Sequence, residues 1–205
     1  MSAASDLEAC IAAGGVAVFP SDTVYGLACD PESRAAVERM YALKGRPPDK
    51  PSAVMFFDAG LAVAALPEVG SRTRALMARL LPGGVTLLLP NPRGRFPLAG
   101  GEGLGLRVPD VPLLRGARCV VLQSSANVAG GPDARRIEEV PSAIRAGADL
   151  VVDAGELPGT PSTVVDLRRF ERSGEWSVLR AGAVPAEIVA DAARMSSRPP
   201  IRGSS

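Results

Sequence analysis

Hydrophobic positions fall into short apolar runs at 16–19, 53–57, 85–89, 105–108, 120–122, 150–152 and 163–167. Each run has the length of a strand buried on both faces. Between most of them the spacing turns helical. Asp30, Pro31 and Glu32 read as an N-cap, a first-turn proline and an acidic first turn, opening a helix that buries Val37, Met40, Tyr41 and Leu43. A second helix is expected over 71–81, stopped by Pro82-Gly83-Gly84, and a third over 185–194. Strands alternating with helices predict an α/β protein built on a largely buried sheet. The segment 91–103, rich in Pro, Gly and Arg, reads as a long surface loop and a candidate lid. Residues 1–195 are expected to form one domain, with 196–205 a disordered tail.

Composition narrows the chemistry. Of 205 residues, 46% are hydrophobic and 22% charged, which excludes wholesale disorder, and aromatics at 4% make the core aliphatic. Asp6 and Glu8 stand where a secretory leader would be basic, so a cytoplasmic, membrane-free protein is expected. The three cysteines are too few and too scattered for a disulfide framework or a zinc site. Histidine is absent, which removes the usual general base and the triads that depend on it. A net charge of +1 means that attraction to a polyanion must come from local clustering.

One cluster stands out. Two of the 23 basic residues are lysine, Lys44 and Lys50, and both lie in Lys44-Gly-Arg46-Pro-Pro-Asp-Lys50-Pro. Three cations on a proline-stiffened loop suit a multiply charged anion such as a triphosphate. Complementing the dipole at the end of the preceding helix is an equally good reading of Lys44 and Arg46 on this stretch alone. Hydroxyls gather where apolar runs begin or end: Ser21-Asp22-Thr23, Ser124-Ser125-Ala126-Asn127 and Ser162-Thr163. Such positions collect binding groups in α/β proteins, although the same residue types also favour caps and turns. There is no GxxxxGK[ST] loop and no GxGxxG before a helix, so a nucleotide would need this loop and these hydroxyls instead.

In order, Ser21-Asp-Thr-Val-Tyr-Gly-Leu27, Lys44-Gly-Arg46-Pro, Pro82-Gly-Gly-Val-Thr86, Leu106-Arg107-Val-Pro109, Ser125-Ala-Asn127, Pro161-Ser162-Thr-Val and Leu179-Arg180-Ala-Gly182 resemble the YrdC-like threonylcarbamoyl-AMP synthase family in its short single-domain form. The resemblance implies a three-layer α/β fold with a twisted mixed sheet and a deep positively charged pocket. It also implies nucleotidyl transfer: L-threonine, bicarbonate and ATP with Mg²⁺ give threonylcarbamoyl-AMP and pyrophosphate. The product would pass to a downstream threonylcarbamoyl transferase complex for tRNA modification.

By the same resemblance, Lys44, Arg46 and Lys50 meet the triphosphate or bicarbonate, and Ser125 and Asn127 meet the nucleotide. Thr23, Arg107 and Ser162 hold threonine, Arg107 through its carboxylate, and Arg180 closes over the nucleotide. No residue is expected to ligate a metal on its own. Met55 replaces a frequent histidine and Asp133 a frequent serine, so neither inherits a role. Two other readings stay open: an RNA-binding relative without catalysis, with tRNA or double-stranded RNA as partner, and a carbamoyl transferase.

Overall fold

The computed structural model describes residues 2–47 and 50–196. Among these described residues nine strands form one mixed sheet: β1 (Ala17–Pro20), β2 (Tyr25–Cys29), β3 (Ala53–Met55), β4 (Val85–Pro90), β5 (Gly103–Arg107), β6 (Val121–Ser125), β7 (Leu150–Val151), β8 (Thr163–Asp166) and β9 (Ser177–Arg180). Their order is β7-β1-β2-β6-β3-β5-β4-β8-β9. The pairs β1–β7, β3–β5 and β4–β8 are parallel, and the other five are antiparallel. The α-helices among the described residues are α1 (Ala3–Ala12), α2 (Arg34–Lys44), α3 (Ala59–Ala65), α4 (Ser71–Leu80), α5 (Ser142–Gly147), α6 (Phe170–Ser173) and α7 (Ala186–Ser196).

Side-chain alternation along the strands divides the sheet into two unlike faces. Val18, Leu27, Val54, Leu87, Leu104, Leu106, Leu122 and Val165 point to one face. There they pack under Val37 and Met40 of α2, Leu76 and Met77 of α4, and Val189 of α7, forming the main core. The intervening residues point the other way. At one end Ala17, Phe19, Ala28, Met55 and Val121 meet Leu7 and Ile11 of α1 in a smaller core. A ten-residue helix is about 15 Å long, roughly three strand spacings. The helix α1 therefore covers only part of this face, at the Met55 and Val121 end of β3 and β6, and the cavity described below opens over the rest.

Several local expectations change. The α2 N-cap is Ser33, whose hydroxyl accepts from Ala36 N at 3.3 Å, while Asp30 Oδ1 accepts from Glu32 N at 2.8 Å. Asp30 thus folds a turn on its own backbone and leaves the cap to the next hydroxyl. Leu43 is only partly buried. The 91–103 loop is tied down: Ser52 N donates to Ala99 O at 2.8 Å, Arg95 pairs with Glu68 at 3.0 Å, and residues Pro97–Ala99 form a 3-10 turn. Ser196, expected in the tail, closes α7 with its hydroxyl on Ala192 O at 2.8 Å. The remainder of that tail, 197–205, lies outside the described residues, as do Pro48 and Asp49 of the cationic loop. Among the described residues no helix is long and apolar enough to cross a membrane.

Candidate active site

The uncovered face is floored by residues chosen for size and polarity. Gly26, Ala53, Gly103 and Gly105 supply almost no side chain, while Thr86, Arg107, Gln123 and Ser125 supply polar groups. A Cβ on Gly105 would stand 3.2 Å from the Ala53 Cβ across the β3–β5 pair, so glycine keeps the floor low. The resulting cavity measures about 440 Å³, within the range of small-molecule sites. Among the described residues four guanidinium-bearing side chains line it, Arg46, Arg107, Arg168 and Arg180, against two carboxylates, Glu102 and Asp133.

One wall is built by the turn between β1 and β2. The Ser21 hydroxyl donates to Val24 O at 2.6 Å and lies 2.9 Å from the Thr23 hydroxyl. Arg107 Nη2 donates to Asp22 Oδ1 at 2.6 Å and to Thr23 Oγ1 at 3.2 Å. The Arg107 side chain is 5% exposed and its Nε has no partner, so one buried donor is left over beside the cavity. Burial lowers the Arg107 pKa, and Asp22 opposes that shift; the guanidinium stays charged.

A second wall joins two strand ends. Ser162 Oγ lies 2.8 Å from Thr86 Oγ1, and Arg180 Nη2 donates to Ser162 O at 2.8 Å and to Ser162 Oγ at 3.2 Å. Gly182 makes this approach feasible, because a Cβ there would fall 2.2 Å from Pro161 O. Pro161-Ser-Thr163 and Arg180-Ala-Gly182 are therefore one packing unit split by the stretch 164–179.

The third wall centres on Lys44, the last residue of α2. Its Nζ donates to Asn127 O at 2.7 Å, to Asn127 Oδ1 at 2.9 Å and to the Ser125 carbonyl. Asn127 Oδ1 also accepts from the Ser125 hydroxyl at 2.7 Å, and Asn127 Nδ2 donates to Gly131 O at 2.6 Å. Lys44 thus fastens the Ser125-Ala-Asn127 turn from behind. Burial first, then the charge of Arg46, pull its pKa down to about 8, with Asp133 opposing. Gly45, left-handed at φ 58°, ends the helix and sends the chain round to Arg46. Arg46 lies 5.7 Å over the Tyr41 ring, donates to Pro51 O at 2.6 Å, and keeps a buried Nε that has no partner among the described residues.

Of the residues singled out in the sequence, Thr23, Arg46, Arg107, Ser125, Ser162 and Arg180 line the cavity. Lys44 and Asn127 lie directly behind Ser125, both buried. Lys50 is exposed and off the wall. Met55 is fully buried in the smaller core under α1 and does not reach the cavity, whereas Asp133 does. Thr86, Gln123, Glu102 and Arg168 also line it and were not anticipated. The alternation of Val85-Thr86-Leu87-Leu88 and Leu122-Gln123 carries that signal, since a polar residue at one parity of a buried strand marks an uncovered face. Cys29 is buried in the main core with its thiol pushed up to about 12, and it takes no part in the site. Among the described residues no three His, Cys, Asp or Glu side chains cluster as a metal site.

A broad mixed sheet with one helix-packed face and one partly open, arginine-lined face defines an α/β ligand-binding protein. Residues 9–182 match the Sua5/YciO/YrdC family model, described as telomere recombination, and the chain belongs to that family. The threonylcarbamoyl-AMP synthase of Chromohalobacter salexigens is 34% identical over 173 residues, covering 82% of this chain and 94% of the relative. That of Bacillus subtilis is 34% identical over 158 residues, 73% of this chain and 46% of its own. Among solved structures, Pyrococcus abyssi Sua5 complexed with L-threonine superposes with a TM-score of 0.79 at 26% identity, covering 91% of this chain and 56% of that one. Escherichia coli YciO shares the fold, with a TM-score of 0.73 at 24% identity over 90% of this chain and 91% of that one. The chain thus spans about half the length of the Bacillus and Pyrococcus relatives and nearly all of the Chromohalobacter one.

Proposed function

We propose that this chain is a threonylcarbamoyl-AMP synthase, forming L-threonylcarbamoyl-adenylate and pyrophosphate from L-threonine, bicarbonate and ATP. The observation that carries it is the convergence of Thr23, Arg46, Arg107, Ser125, Ser162 and Arg180, from six separate stretches, on one cavity. Relatives of similar length bear that name, and a related Sua5 structure contains L-threonine. The same relatives weigh against a non-catalytic RNA-binding role and against carbamoyl transfer.

The chemistry suits a site without histidine. The threonine amine and bicarbonate combine, with loss of water, to give a carbamate anion. A carbamate oxygen then attacks the α-phosphorus, the bond from that phosphorus to the bridging oxygen breaks, and pyrophosphate leaves with the electron pair. The nucleophile is already anionic and the leaving group needs charge neutralisation more than a proton. Preorganised cations and N–H donors meet that demand.

In this reading Arg46 neutralises the phosphates through the guanidinium edge that includes its unpaired Nε, and Arg180 closes on the nucleotide from the Ser162 side. Arg107, with its own unpaired Nε, faces the threonine carboxylate beside Thr23 and Ser162. Ser125 offers its hydroxyl to the nucleotide. Lys44 and Asn127 hold that turn and add a positive charge behind it. Lys50 would need to swing inward to take part. Mg²⁺ would arrive with the triphosphate and neutralise phosphate charge, and Asp133, beside Asn127 on the wall, is a carboxylate of the type it favours. The adenylate would pass to a partner that transfers the threonylcarbamoyl group to tRNA.

Pyrophosphate release with purified protein tests the reading: it should need ATP, L-threonine and bicarbonate together. Release that ignores omission of threonine or bicarbonate rules the proposal out.

A further inference from the structure

The cavity rim carries a cation that the proposed chemistry has not used. Arg168 follows β8 by two residues and lines the cavity beside Glu102, Gly103 and Leu88. Asp166 grips one edge of its guanidinium: Nε lies 3.0 Å from Oδ1, and Nη2 lies 2.8 Å from Oδ2. The Arg168 backbone N also donates to Asp166 Oδ1 at 3.0 Å, so the fork is fixed at its base. That leaves Nη1 as the outward corner, and it faces Glu102 at 3.5 Å.

The two partners of Arg168 differ in kind. Asp166 is 19% exposed and bound through several hydrogen bonds; Glu102 is 93% exposed and reached by one long ion pair. An exposed pair of that length is held weakly, because solvent screens it and side-chain entropy opposes it. Glu102 also sits on a rim shared with Arg46. Arg46 donates to Pro51 O, and a Cβ on Gly101, the neighbour of Glu102, would lie 3.0 Å from Pro51 Cγ. Arg46 and Arg168 therefore flank the same short stretch of rim, made by Pro51, Gly101 and Glu102.

We infer that Arg168 is a further phosphate contact at the cavity rim, pre-oriented by Asp166, and that Glu102 is its displaceable counter-ion. The ligand class is an inorganic or nucleotide polyphosphate, whose multiple charge outcompetes one exposed carboxylate. A single arginine carrying one tightly bonded edge and one loosely paired corner can accept a phosphate oxygen without losing its orientation. The inference rests on the adenylate-forming reading for its biological ligand, the departing pyrophosphate end of ATP. The contact itself can be tested without that reaction.

The test is calorimetric titration of inorganic tripolyphosphate into the full chain in magnesium-free buffer, with thermal unfolding as the check on folding. Arg168→Ala should weaken binding about tenfold, as expected for loss of one charge-assisted contact. Glu102→Gln should strengthen it by roughly threefold, since it removes a competing anion. In an Arg168→Ala background the Glu102→Gln gain should vanish. Binding unchanged in both single variants overturns the inference, and so does equal weakening in both, which would mean a merely structural rim. If Arg168→Ala does not fold, Glu102→Gln decides alone: tighter binding supports the contact, and unchanged or weaker binding refutes it. These outcomes separate from the parent reading. Opposite shifts in a protein that makes no adenylate leave the contact standing and remove the reaction, whereas adenylate formation with unshifted tripolyphosphate binding does the reverse.

Discussion

The Lys44 ammonium lies 2.7 Å from the Asn127 backbone oxygen and 2.9 Å from its side-chain oxygen, and among the described residues it makes no ion pair with a carboxylate. A buried cation held by carbonyl oxygens fixes the turn that presents Ser125 while leaving its charge largely uncompensated. That charge can act on an anion in the cavity with little screening from solvent.

This placement gives Lys44 a pH signature. Its pKa falls from 10.5 to about 8 in the folded protein. Between these values the unfolded chain binds a proton that the folded chain lacks. The cost of burying the charge is therefore full below about pH 8 and is relieved as pH rises toward 10.5. The stability of the wild type relative to Lys44→Met should rise across that interval, measured by urea denaturation at several pH values. A gap that stays flat contradicts the buried, titrating amine.

Arg46→Ala should cut turnover at least about 100-fold, the usual cost of removing a preorganised charge-stabilising donor. Arg46 is only half-buried, on a loop, so stability should move by about 1 kcal/mol or less. Steady-state pyrophosphate release and a melting curve check both halves. Near-normal turnover removes Arg46 from the mechanism.

Asp22→Ala would leave the buried Arg107 guanidinium without its counter-charge. Losing one member of a buried pair costs about 3–5 kcal/mol, so the urea midpoint should fall sharply. A loss below about 1 kcal/mol would show Arg107 to be hydrated, with exposed surface pairs as the relevant comparison.

Gly182→Ala tests the second wall. The added methyl must push against Pro161 O, 2.2 Å away, and so shift Ser162 and Arg180. Threonine affinity should fall, and the melting midpoint should drop by about 2–8 °C for a strain of roughly 1–2 kcal/mol in a chain of this size. Unchanged threonine binding would show Ser162 to be remote from the amino acid.

Much of this architecture is written locally, and some is not. Runs such as 85–89 and 163–167 announce strands because one parity, Val85, Leu87, Leu89, Val165 and Leu167, is fully buried in the main core. The edge strand β9 carries exposed Leu179 and Arg180 and has no such pattern, so it is identifiable only through its pairing with β8. The first helix also escapes notice: Ser2 and Ser5 form its capping box, but its apolar stripe is thin, with only Ala4, Leu7 and Ile11 buried. Cap competition at Asp30 and Ser33 is decided by which hydroxyl or carboxylate meets the first free amides, and both residue types suit that role in the sequence.

The site shows the same division. Thr23, Arg107 and Ser162 are recognisable as ordered segments, yet the pairing of Arg107 with Asp22 depends on β5 and the β1–β2 turn meeting in space. Lys44 reads as a loop cation from the sequence, but the α2 C-terminus turns it inward onto Asn127, and Lys50, six residues later, stays outside. Arg168 and Glu102 carry no sequence signal beyond strand parity, because the rim arises where two loops from distant parts of the chain come together.

Single-turnover reaction with ATP, L-threonine and ¹³C-bicarbonate, quenched and read by mass spectrometry, tests the central claim most directly. The account predicts a threonylcarbamoyl-adenylate carrying one ¹³C, formed in equal amount with pyrophosphate and abolished by Arg46→Ala. An adenylate of threonine without the label, or no adenylate at all from folded protein, would contradict it.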